Sequence, residues 1–182
     1  IGTCNGTPAD VVVTVNPTGQ VNDPVDQVVC NGTLTSLVTL GTINTGGTTS
    51  YSWTNNTTSI GLGASGIGDI SSFTATNNTP ASVVATVTVT PHFLNSVTCD
   101  GPPQTFTITV NPKPAITTIS STVCSGVGFS LAPVDITNGV VPSGTSYSWS
   151  APAGTGFTGG ASGSGALNIT GTLTNTTTSP QT

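Results

Sequence analysis

The stretch Thr105-Phe106-Thr107-Ile108-Thr109-Val110, followed by Asn111-Pro112, decides how this chain folds. Apolar and hydroxyl side chains alternate along it. Phe106, Ile108 and Val110 therefore share one face of an extended strand and face a core, while the threonines face water. Pro112 lacks a backbone donor and favours extended geometry in the residue before it. The stretch predicts a half-buried β-strand that ends at the Asn-Pro pair.

The same alternation recurs elsewhere in the chain. Residues 83–90 alternate valine or alanine with a second, mostly threonine set, and Val11, Val13 and Val15 repeat the pattern near the start. Further strands are predicted at residues 34–40, 51–53, 71–76 and 167–174. Threonine and valine favour strands, helix formers are scarce, and glycine and proline interrupt the chain every several residues. The sequence therefore predicts an all-β fold with many turns.

Several motifs return after an interval of about 95 residues. The recurring pairs are residues 14–17 with 109–112, Cys4 with Cys99, Cys30-Asn31-Gly32 with Cys124-Ser125-Gly126, residues 49–53 with 145–149, and residues 63–66 with 160–163. The interval drifts only from 94 to 97 residues, as a few loop insertions would cause. Such a period indicates a tandem array of small domains.

The phase of the repeat divides the chain into three parts. Residues 1–17 match the last strand of a preceding repeat, residues 18–112 form a complete repeat (the first unit), and residues 113–182 form an incomplete one (the second unit). The second unit has no counterpart of residues 83–90 or 104–110. Roughly seven short strands in one unit favour an immunoglobulin-like sandwich. We expect the chain to be a section of a longer array with stiff Asn-Pro joints.

The composition excludes several classes of partner. Lys113 is the single basic residue, and the formal charge is −5. Nucleic-acid binding needs a basic patch, and so does attraction to anionic lipid. No apolar run reaches transmembrane length, so we expect no direct membrane insertion. Charged residues make up 4% of the chain, and threonine alone about a fifth.

The four cysteines leave the disulfide pairing open. None forms a CxxC motif, which makes zinc and redox sites unattractive. We predict a bond between Cys30 and Cys99 within the first unit, with Cys4 and Cys124 pairing outside the fragment. The alternative joins Cys4 to Cys30 and Cys99 to Cys124 across the junctions. Either scheme implies an oxidising, extracellular compartment.

The chain has few of the side chains that catalysis or metal binding requires. His92 is the only histidine, predicted to lie in an exposed loop after a strand, and glutamate is absent. Gly61–Gly66 fits GxGxxG, but no helix is predicted after it, and Thr158 replaces Gly61 in the second copy. Asp23 and Asp26 could contribute to a calcium site at the junction, yet calcium needs more oxygen ligands than these acids supply. We predict no catalytic residue, no metal and no cofactor.

Two tryptophans and seven asparagines are the remaining candidates. Trp53 and Trp149 occupy equivalent positions and are predicted to be core residues, since an inward Trp is usual on the third strand of such sandwiches. Solvent-facing indoles would instead form a sugar platform. The N-x-[ST] motif, a candidate glycosylation site, occurs at Asn5, Asn31, Asn55, Asn56, Asn77, Asn168 and Asn175.

Several of these stretches resemble a known family. They are Val15-Asn16-Pro17, Val29-Cys30-Asn31-Gly32, Trp53-Thr54-Asn55, Ser59-Ile60-Gly61-Leu62, residues 73–77, residues 85–91 and residues 106–112. Together they resemble the PKD-like repeats of giant Bacteroidota surface proteins, which include gliding-adhesin-like proteins exported by type IX secretion. In the second unit, Trp149-Ser150-Ala151 departs from Trp-Thr-Asn. The resemblance implies a cell-surface adhesin or stalk without catalytic residues.

The sequence thus predicts an extracellular, non-catalytic array whose partners are neighbouring repeats and, in addition, surface glycans. Two alternatives remain open. One is a carbohydrate-binding or spacer region of a secreted hydrolase, which exposed tryptophans would favour. The other is a filament subunit completed by strand exchange, in which residues 1–17 of one chain serve as the last strand of another.

Overall fold

The computed structural model describes residue 2 and residues 6–182, and these residues form an all-β structure with one short 3₁₀ helix at Thr58–Ile60. Cys4 and Asn5 lie outside the described residues. The strands of the first unit are β1 (Gln27–Cys30), β2 (Thr48–Asn55), β3 (Ser65–Ile67), β4 (Val83–Asn95), β5 (Val97–Asp100) and β6 (Gln104–Asn111). Those of the second unit are β7 (Ala115–Ile116), β8 (Gly128–Leu131), β9 (Gly139–Val140), β10 (Tyr147–Trp149), β11 (Phe157–Gly159), β12 (Gly163–Ala166) and β13 (Ile169–Asn175).

All six strands of the first unit belong to one sheet in the order β1-β6-β4-β2-β3, with β5 paired to the far end of β4. The alternating segments predicted as strands are its centre, because β6 runs antiparallel to β4 with Val83 opposite Val110 and Val87 opposite Phe106. The edge strand β1 runs parallel to β6, with Cys30 opposite Asn111. This central position explains why every second residue of β4 and β6 is buried.

A second, less regular layer covers the inner face of this sheet. Residues predicted as strands at 34–40 and 71–76 meet there through two isolated bridges, Leu34 with Thr74 and Val38 with Ile70. Threonine, serine and asparagine are frequent in these segments, and their side chains compete for backbone groups. Thr35 Oγ1, for example, bonds to the carbonyl oxygen of Phe73. The two layers give the first unit a β-sandwich-like arrangement.

The core lies between the two layers of the first unit. The sheet contributes Trp53, Ala85, Val87, Val89, Phe106, Ile108 and Val110, and the second layer contributes Val38, Leu40, Ile60, Leu62, Ile70 and Ala75. Trp53 is 9% exposed. Fully burying one such aliphatic or aromatic side chain contributes about 1.5–3 kcal/mol. The predicted core residues of the first unit therefore carry much of its stability.

Strand β4 is longer than its alternation predicts. It continues through Pro91 to Asn95, so His92 lies within a strand and not in a loop, which corrects the prediction. Proline cannot donate to a ladder. Here β6 pairs with β4 only as far as Val89, and the pairing of β5 with β4 begins at His92. Pro91 therefore lies at the gap between these two partner strands. The proline is tolerated because no ladder bond is required at that position.

The leading segment differs from its prediction as a strand. Residues 7–17 belong to no sheet in the described structure. Val11, Val12, Val13 and Val15 are between 78% and 87% exposed. Asn16 is held against the β4–β5 turn, because its Nδ2 donates to the carbonyl oxygen of Asn95 at 2.5 Å. The segment is thus extended and apolar but has no partner strand.

The second unit has strands but almost no buried core. Its sheets contain two or three strands each, and Tyr147 is its one buried hydrophobic residue in the described structure. Phe129, Leu131, Trp149, Phe157 and Leu173 are half-buried. The physical reason lies in the sequence, since the first unit takes the centre of its core from β4 and β6 and residues 113–182 contain no counterpart of either.

One local contact nevertheless occurs in the same form within each unit. Trp53 lies opposite Gly66, and Trp149 lies opposite Gly163. A Cβ added at either glycine would lie 2.2 Å from the Cζ2 atom of the facing indole, so only glycine leaves room for the ring. This contact explains why the last residue of Gly-Ala-Ser-Gly is a glycine in both places.

The predicted disulfide between Cys30 and Cys99 is wrong for this structure. Cys30 lies opposite Asn111 at the end of β6, whereas Cys99 lies opposite Phe93 near the far end of β4. Ten residues of β4 separate these levels, roughly 30 Å at about 3.3 Å per residue. A disulfide requires Cα atoms within about 7 Å. Cys30, Cys99 and Cys124 are all unbonded thiols.

Candidate functional site

The most concentrated polar chemistry is a row of three side chains on the outer face of the first sheet. His92 Nδ1 lies 2.6 Å from Asp100 Oδ1, and His92 Nε2 lies 2.8 Å from Ser52 Oγ. A carboxylate only accepts, so in the neutral imidazole Nδ1–H donates to Asp100 and Nε2 accepts from the Ser52 hydroxyl. The residues come from β2, β4 and β5. This is the connectivity of a Ser-His-Asp triad.

The surroundings of this row do not complete a hydrolytic site. Ser52 lies in the middle of β2, which is paired with β3 on one side and β4 on the other. The ladders therefore engage the backbone N–H groups that an oxyanion hole would need. The row lies on a flat face, and the Asp100 side chain is 65% exposed. We interpret the row as a cross-strand polar cluster. The sequence did not predict it, because the three residues are distant in the chain and only the register of the strands brings them together.

Ser52 is expected to be unreactive toward a fluorophosphonate probe, because nothing near its hydroxyl stabilises a developing oxyanion. His92→Ala should lower the free energy of unfolding by only about 1 kcal/mol, the usual net contribution of such hydrogen bonds. Intact-mass measurement after incubation with the probe checks the first point, and urea unfolding checks the second. Stoichiometric adduct formation that Ser52→Ala abolishes would contradict this interpretation.

The other predicted chemical motifs have structural roles. Gly61 ends the 3₁₀ helix with a φ of 96°, and β3 follows, so no helix follows the GxGxxG stretch. Asp26 accepts a hydrogen bond from the backbone N–H of Thr107 at 2.6 Å. Among the described residues, no group of three histidine, cysteine or acidic side chains is placed to hold a metal ion. Asp23 and Asp26 thus acquire no further ligands there.

The aromatic residues do not form an exposed platform. Trp53 is buried, and its Nε1 has no hydrogen-bond partner among the described atoms. Trp149 is half-buried, and its Nε1 donates to the carbonyl oxygen of Ala161 at 3.0 Å. Burial is the main cause of a raised pKa of Tyr51. A hydrogen bond with Thr42 acts in the opposite direction and lowers the pKa, and the charge of Asp69 has the smallest effect and raises it. These residues pack and do not present faces for sugar stacking.

A shallow depression of about 720 Å³ lies near the start of the first unit. Its lining includes Gln20, Asn22, Thr42 and Gln104, together with small and aliphatic residues. No aromatic or charged side chain lines it, so it lacks the mainly hydrophobic and aromatic lining that is usual for a small-molecule pocket.

The candidate glycosylation sites differ sharply in access. Asn55 and Asn77 are buried, and their Nδ2 atoms donate to carbonyl oxygens of Leu62 and Val110, respectively. Asn31 and Asn175 are half-buried. Asn31 Oδ1 accepts a hydrogen bond from the backbone N–H of Asn77, and Asn175 Nδ2 donates to the carbonyl oxygen of Ser179 within a turn. Asn56 and Asn168 are exposed. The sequence motif alone could not separate these groups, because burial depends on the packing of distant strands.

Folded chain secreted from a glycosylating host is expected to carry N-glycan only at exposed sites such as Asn56 and Asn168. A glycan on Asn55 or Asn77 would remove buried hydrogen bonds and could not fit the core. Peptide mapping after enzymatic deglycosylation measures the occupancy of each site. Substantial occupancy of Asn77 in protein that unfolds cooperatively would contradict the expectation.

The second unit contains a groove of about 680 Å³. Residues 119–125 form one side, and Phe129, Leu131, Phe157 and Leu173 supply its apolar surface. Asn175 lines the same groove, and Val123 within its wall is 40% exposed. No charged side chain lines it. Its lining is mixed, because serine, threonine and glutamine side chains and the last residues, 180–182, also border it.

Comparison with known proteins adds no assignment: no family model, no curated protein and no solved structure matches the chain. Within the described part of the chain, helix is limited to residues 58–60, so no helical segment there could cross a bilayer.

Proposed function

We propose that this chain is a non-catalytic structural and adhesive region of an extracellular protein, built from tandem immunoglobulin-like repeats. The observation that carries the proposal is the recurrence of local contacts at intervals of 94 to 98 residues, close to the interval read from the sequence. Gly32 N–H donates to the carbonyl oxygen of Ala75, and Gly126 N–H donates to that of Leu173. The paired Trp-Gly contacts recur in the same way.

A turn network supports the same proposal. Asn77 Oδ1 accepts from the backbone N–H and the hydroxyl of Thr79, and Asn77 Nδ2 donates to Ala81. Asn175 makes the same three contacts with Thr177 and Ser179. A shared hydrogen-bond arrangement in two sequences that differ at the intervening positions favours repetition of a module. Repeated modules suit spanning and multivalent attachment.

The surface chemistry agrees with a role outside the cell. One basic residue and a threonine-rich exterior leave little basis for binding nucleic acid or anionic membranes. The exposed N-x-[ST] motifs at Asn56 and Asn168 would accept N-linked sugar. The partners of the chain would be neighbouring repeats. The buried Trp53 counts against the alternative of a carbohydrate-binding module, since that role needs exposed indoles.

Antibody raised against the chain should label intact cells of the source organism, and surface proteolysis should remove that label. Cells lacking the gene should attach less well under flow, with unchanged growth. A label that appears only after permeabilisation would overturn the surface location. Normal attachment of the deletion strain would overturn the adhesive part of the proposal.

A further inference from the structure

We propose that Asn138 is a site of self-modification, at which the side-chain amide reacts with the backbone nitrogen of Gly139 and is converted to a carboxylate. The pair Asn-Gly occurs at residues 5–6, 31–32 and 138–139. Glycine has no Cβ that would hinder attack by its nitrogen. Asn5 lies outside the described residues, so the comparison that the structure allows is between Asn31 and Asn138. The inference does not depend on the function proposed above.

The reaction requires only the chain and water. The Gly139 nitrogen loses its proton to a solvent base and attacks Cγ of Asn138. A cyclic imide forms as the bond from Cγ to Nδ2 breaks, and the amide nitrogen takes a proton from solvent and leaves as ammonia. Water then opens the imide at either carbonyl and gives aspartate or isoaspartate, in which the backbone runs through the former side chain. No atom is oxidised or reduced, and either product is a carboxylate that is ionised at neutral pH.

Both asparagines present an activated amide carbonyl. Asn138 Oδ1 accepts a hydrogen bond from the backbone N–H of Val134 at 2.8 Å, and Asn31 Oδ1 accepts one from the backbone N–H of Asn77 at 2.9 Å. Such a donor stabilises the negative charge that develops on the oxygen during attack. Both asparagines are also half-buried. Activation of the carbonyl and exposure to water therefore do not distinguish the two sites.

The attacking nitrogen does distinguish the two sites. Gly32 N–H donates to the carbonyl oxygen of Ala75 at 2.8 Å, so the nitrogen beside Asn31 is engaged. At the other site, Thr117 N–H donates to the carbonyl oxygen of Asn138 at 2.9 Å. In the antiparallel pairing of β7 with β9, this bond places Gly139 in a non-hydrogen-bonded pair. Gly139 N–H therefore points away from β7, and it meets no acceptor among the described residues.

The backbone contact that frees this nitrogen also occurs in the first unit, so it does not depend on the strands that the second unit lacks. In the first unit, Asn22 N–H donates to the carbonyl oxygen of Gly41 at 2.9 Å, at intervals of 95 and 97 residues from Thr117 and Asn138. The first unit has Gly41-Thr42 at the place where the second unit has Asn-Gly. At this position, the reactive pair is therefore a feature of the second unit alone.

The reaction changes the backbone near the start of the second unit. In isoaspartate, the carbonyl group that accepts from Thr117 becomes a free carboxylate, and the main chain gains a methylene group. Strands β7 and β9 pair through two residue pairs, Ala115 with Val140 and Ile116 with Gly139. So short a ladder cannot absorb an inserted methylene group without a change of register. We therefore expect isoaspartate at residue 138 to separate β7 from β9.

Incubation of the full chain in mildly alkaline buffer tests the proposal. Mass spectrometry of elastase peptides measures how much of each asparagine has been converted to acid. Asn138 should be converted at least about ten-fold faster than Asn31, because the glycine after Asn31 must first break a hydrogen bond of about 1.4 kcal/mol. Equal rates, faster conversion of Asn31 or an unchanged Asn138 would overturn the proposal.

Two controls separate the effect of the fold from that of the local sequence. In guanidinium chloride the hydrogen bond of Gly32 is lost, so Asn31 and Asn138 should then react at similar rates. The variant Asn138→Gln should acquire no acid at residue 138, because glutamine would have to close a larger ring, and the conversion of Asn31 should stay the same. A difference between the two asparagines that persists in denaturant would contradict the role of the Gly32 hydrogen bond.

Detection of isoaspartate distinguishes the cyclic imide from direct hydrolysis of the amide. A protein isoaspartate methyltransferase with a labelled methyl donor should label the peptide that contains residue 138 in aged protein, and should not label that peptide in Asn138→Gln. Hydrogen exchange of the Thr117 amide should become faster on ageing, and an unchanged amide would contradict the separation of β7 from β9. Aspartate without isoaspartate would overturn the imide step. None of these outcomes bears on surface location, so failure here and failure of the proposed function are distinguishable.

Discussion

Phe106→Ala is expected to lower the free energy of unfolding of the first unit by about 3–5 kcal/mol, the usual cost of truncating a buried phenylalanine. Phe106 is 2% exposed and lies opposite Val87 in the middle of the sheet. Its removal would leave a cavity between β6 and the second layer, and paired strands on both sides limit relaxation. Urea unfolding followed by tryptophan fluorescence and circular dichroism measures the change.

Thr105→Ala is the matched control for this substitution. Thr105 belongs to the same strand but is exposed, so the change should stay within about 0.5 kcal/mol. Comparable losses for both variants would mean that the substitutions act through strand propensity and not through the core. A Phe106→Ala loss below 1 kcal/mol would contradict the core assignment.

Asn77→Ala is expected to cost about 2–4 kcal/mol, because it removes hydrogen bonds from a buried site and leaves buried backbone groups unsatisfied. The side chain is 3% exposed and joins the turn at Thr79–Ala81 to the carbonyl oxygen of Val110. Thermal and urea unfolding of the full chain measure the loss.

Two other asparagines provide controls for the Asn77 substitution. Asn78 is exposed and adjacent, and Asn78→Ala should be nearly neutral. Asn175→Ala removes the same turn bonds but no bond equivalent to that of Asn77 with Val110, so it should cost clearly less than Asn77→Ala. Equal costs at Asn77 and Asn175 would show that the turn alone matters and that the bond to Val110 contributes nothing.

The sequence predicts the all-β class and the centre of the sheet well, because period-2 alternation is a local property. Residues 105–110 and 83–90 lie within β6 and β4, and the Tyr51–Trp53 stretch lies within β2. The second layer was less predictable. Residues 34–40 and 71–76 make only isolated bridges, since their polar side chains take up backbone groups that a ladder would use.

The sequence-based predictions were wrong where strand pairing depends on residues that are distant in the chain. A proline is expected to end a strand, but Pro91 sits at a break between two partner strands and β4 continues to His92. The pairing of β4 with β2 and β5 in turn forms the Ser52-His92-Asp100 row, which no local sequence motif predicts. The cysteine prediction failed for a similar reason, because proximity in a disulfide depends on which end of the sheet each residue occupies.

The parallel pairing of β1 with β6 has a mechanical consequence. The chain enters the first unit near Gly19 and leaves after Asn111, at opposite ends of the sheet. Tension applied to the two ends would pull β1 and β6 in opposite directions along their own axes. The four residue pairs from Gln27–Ile108 to Cys30–Asn111 would then resist in shear and would have to break together, whereas a hairpin pulled from its open end unzips one pair at a time. A stalk built this way would hold under drag until a threshold force is reached.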